Sequence, residues 1–186
     1  VCAYKGVPFA APPVDDLRFA KPQPPEPWEG TLEADEFGSD CIQYPISLFG
    51  STSVQGSEDC LYLNLWHPAG PEEEPLPVMV FIYGGGFIYG SGSWDTYEGS
   101  RLAKMGGVVV VTFNYRLGPF GFMAHPALAD ENGDSGNYGL YDQVAALEWV
   151  KKNAAAFGGD PDNVTIFGES AGGMSVGTLL ASPEVR

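Results

Sequence analysis

Basic residues are scarce in this chain: nine Lys and Arg stand against 24 Asp and Glu in 186 residues, for a net charge of −15. That balance excludes a nucleic-acid partner, because gripping a phosphate backbone takes clustered Lys and Arg. The acidity itself reads as attraction for cationic substrates or, more plainly, as a solvated surface. Long apolar runs are missing too. The longest uncharged apolar stretch, 78–87, is broken by glycines and falls well short of the roughly 18 to 20 residues of a membrane helix. Cysteine is limited to Cys2, Cys41 and Cys60. No CxxC pair and no His/Cys cluster points to a metal, and an odd number leaves at least one thiol unpaired. Cys41 and Cys60 flank a polar segment that could loop out and join them, a closure worth about 3 kcal/mol. Two buried thiols fit the spacing equally well. The chain has no initiator Met, beginning at Val1 and stopping at Arg186. The expectation is therefore a truncated chain, in which the lack of a leader peptide carries no weight.

What is present is an ordinary globular composition, 44% hydrophobic, enough for one domain or a piece of one. Seven prolines between Pro8 and Pro27 rule out a long helix at the start, so 1–9 is expected as a strand opening a Pro-rich antiparallel region. Strands are predicted at 61–66, 78–83, 108–113 and 164–167. The run 61–66 does not alternate cleanly, as expected for burial on both faces. A short helical stretch is predicted at 97–105. A longer helix at 138–156 carries Leu140, Val144, Leu147 and Val150 at helical spacing, and it is ended by Gly158, Gly159 and Asp160-Pro161-Asp162. Another helix is expected at 171–180. Strand-helix alternation of this kind predicts an α/β fold, a mostly parallel sheet with helices packed on it. Glu72-Glu73-Glu74 lies among prolines and reads as an exposed loop. No domain linker is apparent, so 1–186 reads as part of a single domain.

Gly168-Glu169-Ser170-Ala171-Gly172 fits GxSxG, the nucleophile elbow of α/β-hydrolases when it lies between a strand and a helix. Both neighbours are in place here. The serine of such an elbow sits on a strained turn, and bulky side chains two residues to either side would collide with it. The helix start behind it favours the negative charge that develops in acyl transfer. Taken bare, the five residues are a common pattern that an inert serine could occupy. A second feature adds weight: Gly84-Gly85-Gly86 comes directly after the strand 78–83. Consecutive glycines leave backbone N–H groups free to point at a carbonyl oxygen. The N–H of the residue after the serine, Ala171, completes such an oxyanion hole.

With these residues the chain resembles the type-B carboxylesterases, the group that includes cholinesterases and several lipases. The likeness is carried by 157–172, from Phe157 through Ser170 to Gly172, and by Glu58-Asp59-Cys60-Leu61-Tyr62-Leu63-Asn64. Gly6-Val7-Pro8-Phe9-Ala10, Leu17-Arg18-Phe19 and Asn114-Tyr115-Arg116-Leu117-Gly118 add to it. It runs almost end to end and corresponds to the N-terminal portion of the family's α/β-hydrolase domain. The resemblance implies Ser170 as nucleophile, with Gly85, Gly86 and Ala171 as oxyanion donors and Glu169 as a carboxylate behind the serine. It also implies a Cys41–Cys60 disulfide, and Arg18–Glu58 and Arg116–Asp142 as buried structural ion pairs. The implied reaction is two-step hydrolysis of a small-molecule ester through an acyl-enzyme, with no metal or organic cofactor.

Departures matter as well. Tyr83 stands where many esterases of the family have His, although cholinesterases share the Tyr. The family's catalytic His and its acidic partner lie beyond this chain. His67 and His125 both fall in expected loops and read as structural imidazoles, so the isolated chain is expected to be inactive. Asn163-Val164-Thr165 is a glycosylation sequon, at the start of a strand where a glycan would be hard to fit. Two rival readings remain. Non-catalytic adhesion or binding proteins exist among the relatives, but they typically lack the serine. A cholinesterase is disfavoured because 42–59 contains no Trp, the best partner for a quaternary ammonium. A closed disulfide would point to a secreted or periplasmic setting; reduced thiols would leave the cytoplasm open.

Overall fold

Five strands and four helices make up the frame of the molecule, in a computed structural model that describes residues 1–44, 53–70 and 74–183. The strands are β1 (Cys2–Pro8), β2 (Tyr62–His67), β3 (Leu76–Ile82), β4 (Val109–Phe113) and β5 (Gly159–Gly168). The helices are α1 (Ser100–Gly106), α2 (Gly118–Phe122), α3 (Tyr138–Asn153) and α4 (Ala171–Ala181). The strands form one sheet in the order β1-β2-β4-β3-β5. β1–β2 and β2–β4 are antiparallel, whereas β4–β3 and β3–β5 are parallel. The sheet is thus mixed, with its parallel part in the half that leads to Ser170. Glu72 and Glu73 of the acidic run lie outside the described residues. Among those described, no helix is long and apolar enough to cross a membrane.

Side-chain alternation sorts the core onto two faces. Trp66, Met79 and Val110 are level in register and pack with Ala103 of α1. Their neighbours Leu65, Val80 and Val111 point the other way, into the larger cluster that holds Ala146 and Val150 of α3 and Leu179 of α4. Covered on both faces, β4 is buried at all five positions, which is why Val109–Phe113 reads as a continuous apolar run.

Helix α3 departs from its expected stripe. Of the four apolar residues only Val150 is buried; the rest of the buried side is Tyr138, Gly139, Asp142, Gln143 and Ala146. Two polar residues take core positions because each meets a partner from another element. Asp142 accepts from Arg116 Nε at 2.8 Å, Nη2 at 2.7 Å and backbone N at 3.0 Å. Gln143 donates to Ser175 Oγ at 3.0 Å. The Arg116–Asp142 pair is buried, as the resemblance implied. Burial pushes the Asp142 carboxyl up from its ordinary value, against the pull of the guanidinium. Arg18 and Glu58 also form a two-pronged pair, but their side chains retain 38% and 22% exposure. That pair therefore sits at the surface rather than in the core, where such pairs contribute little.

Two further local differences have simple causes. Asp160-Pro161-Asp162, expected as part of the helix stop ahead of a strand at 164–167, lies inside β5: Leu76 pairs with Gly159 and Val78 with Val164. The residues between form a bulge, held by Asp160 Oδ1 accepting from Asp162 N at 2.9 Å. Asn163 lies within β5, the last strand in the sheet order, and is exposed, as is Thr165. Helix α2 has no signal in the sequence, because its five residues GPFGF include two glycines and a proline.

Candidate active site

The parallel register of β3 and β5 builds the site. Ile82 pairs with Gly168, so both chains leave the carboxyl edge of the sheet at the same level. The two segments beyond these strands must therefore lie side by side: Gly84-Gly85-Gly86 after β3, and Glu169-Ser170 after β5. Contacts confirm this. A Cβ on Gly84 would come within 2.4 Å of Glu169 Oε1 and 2.9 Å of its carbonyl oxygen.

Ser170 is the hinge between β5 and α4. Its φ of 53° and ψ of −121° lie in a region that costs an L-residue on the order of 1–3 kcal/mol. The flanking glycines allow the turn. A Cβ on Gly168 would meet Ile82 O and the Gly172 carbonyl carbon at 2.6 Å each, and one on Gly172 would lie 1.9 Å from Ile82 O. Gly172 N and Met174 N donate to the carbonyls of Glu169 and Ser170 at 2.8 and 3.0 Å. Ser170 is exposed, and Ala171, buried at the first turn of α4, has no acceptor for its N–H within the helix.

The glycine loop that follows β3 is wound tightly. Gly85 has φ +102° and Gly86 φ +61°, and a Cβ on Gly85 would lie 2.0 Å from Tyr89 O. Gly85 O accepts from Ile88 N and Tyr89 N at 3.1 and 3.3 Å. The loop enters through Tyr83, which is fully enclosed. Its ring stacks on Tyr115 at 4.5 Å, and its hydroxyl donates to Tyr115 O at 3.2 Å while accepting from Tyr115 N at 3.3 Å. In return the Tyr115 hydroxyl donates to Tyr83 O at 3.0 Å. Burial holds both phenols above their ordinary range. The Tyr at position 83 is thus an anchor for the loop. On the far side, the Tyr97 hydroxyl donates to Glu169 Oε1 at 3.5 Å; burial and then the Glu169 charge push that phenol up.

The structure therefore sets Gly84, at the start of the glycine loop, against Glu169, the residue before Ser170. His67 ends β2 one residue beyond Trp66, which is level with Val110, Met79 and Thr165, so it lies away from the Ile82–Gly168 end of the sheet that leads to Ser170. Its Nδ1 lies 2.7 Å from Pro68 O, and its ring stacks on Tyr4. His125 Nδ1 accepts from Ala127 N at 3.0 Å, capping the short turn Pro126–Leu128. Cys41 and Cys60 are disulfide-bonded, with Cα atoms 4.9 Å apart, and Cys2 is free. Sequence reasoning assigns no site role to Tyr115 or Tyr97. Tyr115 lies within the block 114–118, where only its adjacency to Arg116 hints at a buried role.

The carboxylesterase family model matches residues 1–186. The chain belongs to the carboxylesterase family. It is 56% identical to a fumonisin B1 esterase of Sphingopyxis macrogoltabida, over 97% of this chain and 34% of that protein. It is 53% identical to a para-nitrobenzyl esterase of Bacillus subtilis, over 98% of this chain and 37% of that one. Among solved structures, a PNB esterase superposes with a TM-score of 0.88 at 53% identity, covering 99% of this chain and 37% of its own. A carboxylesterase of Geobacillus stearothermophilus gives 0.89 at 50% identity, with the same coverage. The fold of this carboxylesterase-family chain is accordingly that of the α/β-hydrolases. The chain spans about a third of the length of the curated relatives it matches.

Proposed function

We propose that the natural-length protein carrying this chain is a serine carboxylic-ester hydrolase, with Ser170 as its nucleophile. The observation that carries the reading is the strained Ser170 turn at the start of α4, next to a Glu169 that Gly84 packs against, with Gly85 and Gly86 wound at positive φ just beyond. Ser170 Oγ attacks the ester carbonyl carbon, and its proton passes to a general base. The carbonyl oxygen becomes an oxyanion, held by the N–H groups of Gly85, Gly86 and Ala171. The bond to the alcohol oxygen then breaks, and the base returns the proton to the departing alcohol. Water attacks the acyl-Ser170, again through the base, and releases the carboxylic acid. Glu169, held by Tyr97, supports the turn from behind. The base and the acid that orients it come from residues outside these 186. Both histidines here already serve local backbone.

The test is hydrolysis of short-chain p-nitrophenyl esters, read by release of p-nitrophenolate. The natural-length protein is expected to turn over, and residues 1–186 alone to stay at background. A folded natural-length protein with no hydrolysis across the series overturns the proposal. Appreciable turnover by residues 1–186 overturns the assignment of the base to residues elsewhere.

A further inference from the structure

Tyr83 and Tyr115 hold the entrance of the glycine loop; its exit is held by a residue with no assigned role. Gln43 is 6% exposed, and both ends of its side-chain amide meet one backbone unit. Its Nε2 donates to Gly90 O at 2.9 Å, and its Oε1 accepts from Gly90 N at 2.8 Å. Nε2 also reaches Cys41 O at 3.1 Å. Gly90 is the point where the loop returns to its own base. At φ +124°, a Cβ there would lie 2.5 Å from the Tyr83 ring and 2.9 Å from Gly84 O. Gly90 is thus packed directly against Tyr83 and Gly84, the residues that precede Gly85 and Gly86.

Gln43 is itself fixed from the other side. Its backbone exchanges hydrogen bonds with Gln55, N to O at 3.0 Å and O to N at 2.9 Å. That bridge lies inside the loop closed by the Cys41–Cys60 disulfide. Two residues past Gly90, Gly92 is gripped in the same fashion. Its N–H donates to Asn114 Oδ1 at 2.9 Å, and its carbonyl accepts from Thr112 Oγ1 at 2.7 Å. The returning arm thus lacks apolar side chains of its own and is registered by buried polar groups. Such a network confers a single geometry when every member is satisfied.

We infer that Gln43 is a positioning residue for ester hydrolysis: it ties the disulfide-closed loop to Gly90 and thereby sets where the Gly85 and Gly86 N–H groups point. This role rests on the function proposed above. Removing one oxyanion donor lowers kcat by about 100- to 1000-fold, and a shift of about 1 Å can lower rate by about 100-fold. Loosening the loop without deleting a donor is expected to fall at or below that second figure.

The experiment uses the natural-length protein with Gln43→Leu, which removes both bonds to Gly90, and Gln43→Glu, which keeps the acceptor for Gly90 N–H but sets an oxygen against Gly90 O. Rates are taken per active site, titrated with a fluorophosphonate, so that partial unfolding does not count as lost catalysis. The expected result is a kcat about 10- to 100-fold lower, with KM changed by less than about threefold. Affinity for a trifluoromethyl ketone, whose adduct carries the oxyanion, should weaken by the same factor as kcat/KM. If Gln43→Leu does not fold, Gln43→Glu carries the comparison. Unchanged kcat per site and unchanged ketone affinity in a folded variant overturn the role of Gln43. A wild-type protein without hydrolysis overturns the function proposed above, and this role with it.

Discussion

Replacing Ser170 by Ala is expected to lower kcat of the natural-length protein by about 10⁴- to 10⁶-fold, the range seen when a hydrolase loses its nucleophile. The fold should tolerate the change. Ser170 is exposed, its side chain caps no helix bond, and the strained turn depends on Gly168 and Gly172, which remain. Substrate binding should survive too, because the glycine loop is anchored through Tyr83 and Gly90 rather than through the serine. The expected signature is a collapse of kcat with KM nearly unchanged and an unaltered melting temperature, read by ester hydrolysis and circular dichroism. Activity within about tenfold of wild type would place the nucleophile at another residue.

The second large effect concerns stability. Asp142→Ala is expected to destabilise the natural-length protein by about 3–5 kcal/mol, because it leaves the Arg116 guanidinium enclosed without its counter-charge. Arg116 retains only 3% side-chain exposure, and Arg18 O at 3.1 Å is the acceptor left to it among the described residues. The consequence should reach the site, since Arg116 directly follows the Tyr115 that clasps Tyr83. Replacing both partners, Arg116→Met with Asp142→Leu, removes the stranded charge and should cost markedly less. Urea unfolding of the three proteins checks this. A loss below about 1 kcal/mol for Asp142→Ala would mean the pair behaves like a solvated surface pair.

How much of the molecule is legible in its sequence depends on whether a constraint is local. Gly168 and Gly172 are glycines because the Ser170 turn leaves no space for a Cβ against Ile82 O. That requirement is written within five residues and reads directly. The strand leading into the glycine loop is legible for the same reason, since β3 is an apolar run with no polar side chain to satisfy. The order β1-β2-β4-β3-β5 is not, because pairing partners come from distant segments. The buried side of α3 reads as purely apolar in the sequence, since Asp142 and Gln143 look like surface residues until Arg116 and Ser175 are folded against them. Gln43 shows the limit most clearly. Its partner is Gly90, 47 residues away, and nothing near Gln43 distinguishes it from a solvated glutamine. Resemblance to a family supplies the disulfide on either side of it, but not the amide that connects that loop to the glycines.

Everything proposed for the site turns on Ser170 as the residue that becomes acylated. The most direct measurement is reaction of the natural-length protein with a fluorophosphonate, then proteolysis and mass mapping of the modified peptide. The expected result is a single stoichiometric phosphonyl adduct on the peptide spanning 159–181, at Ser170, with its appearance tracking loss of ester hydrolysis and absent from Ser170→Ala. A protein that loses activity to the reagent while Ser170 stays unmodified would contradict the assignment.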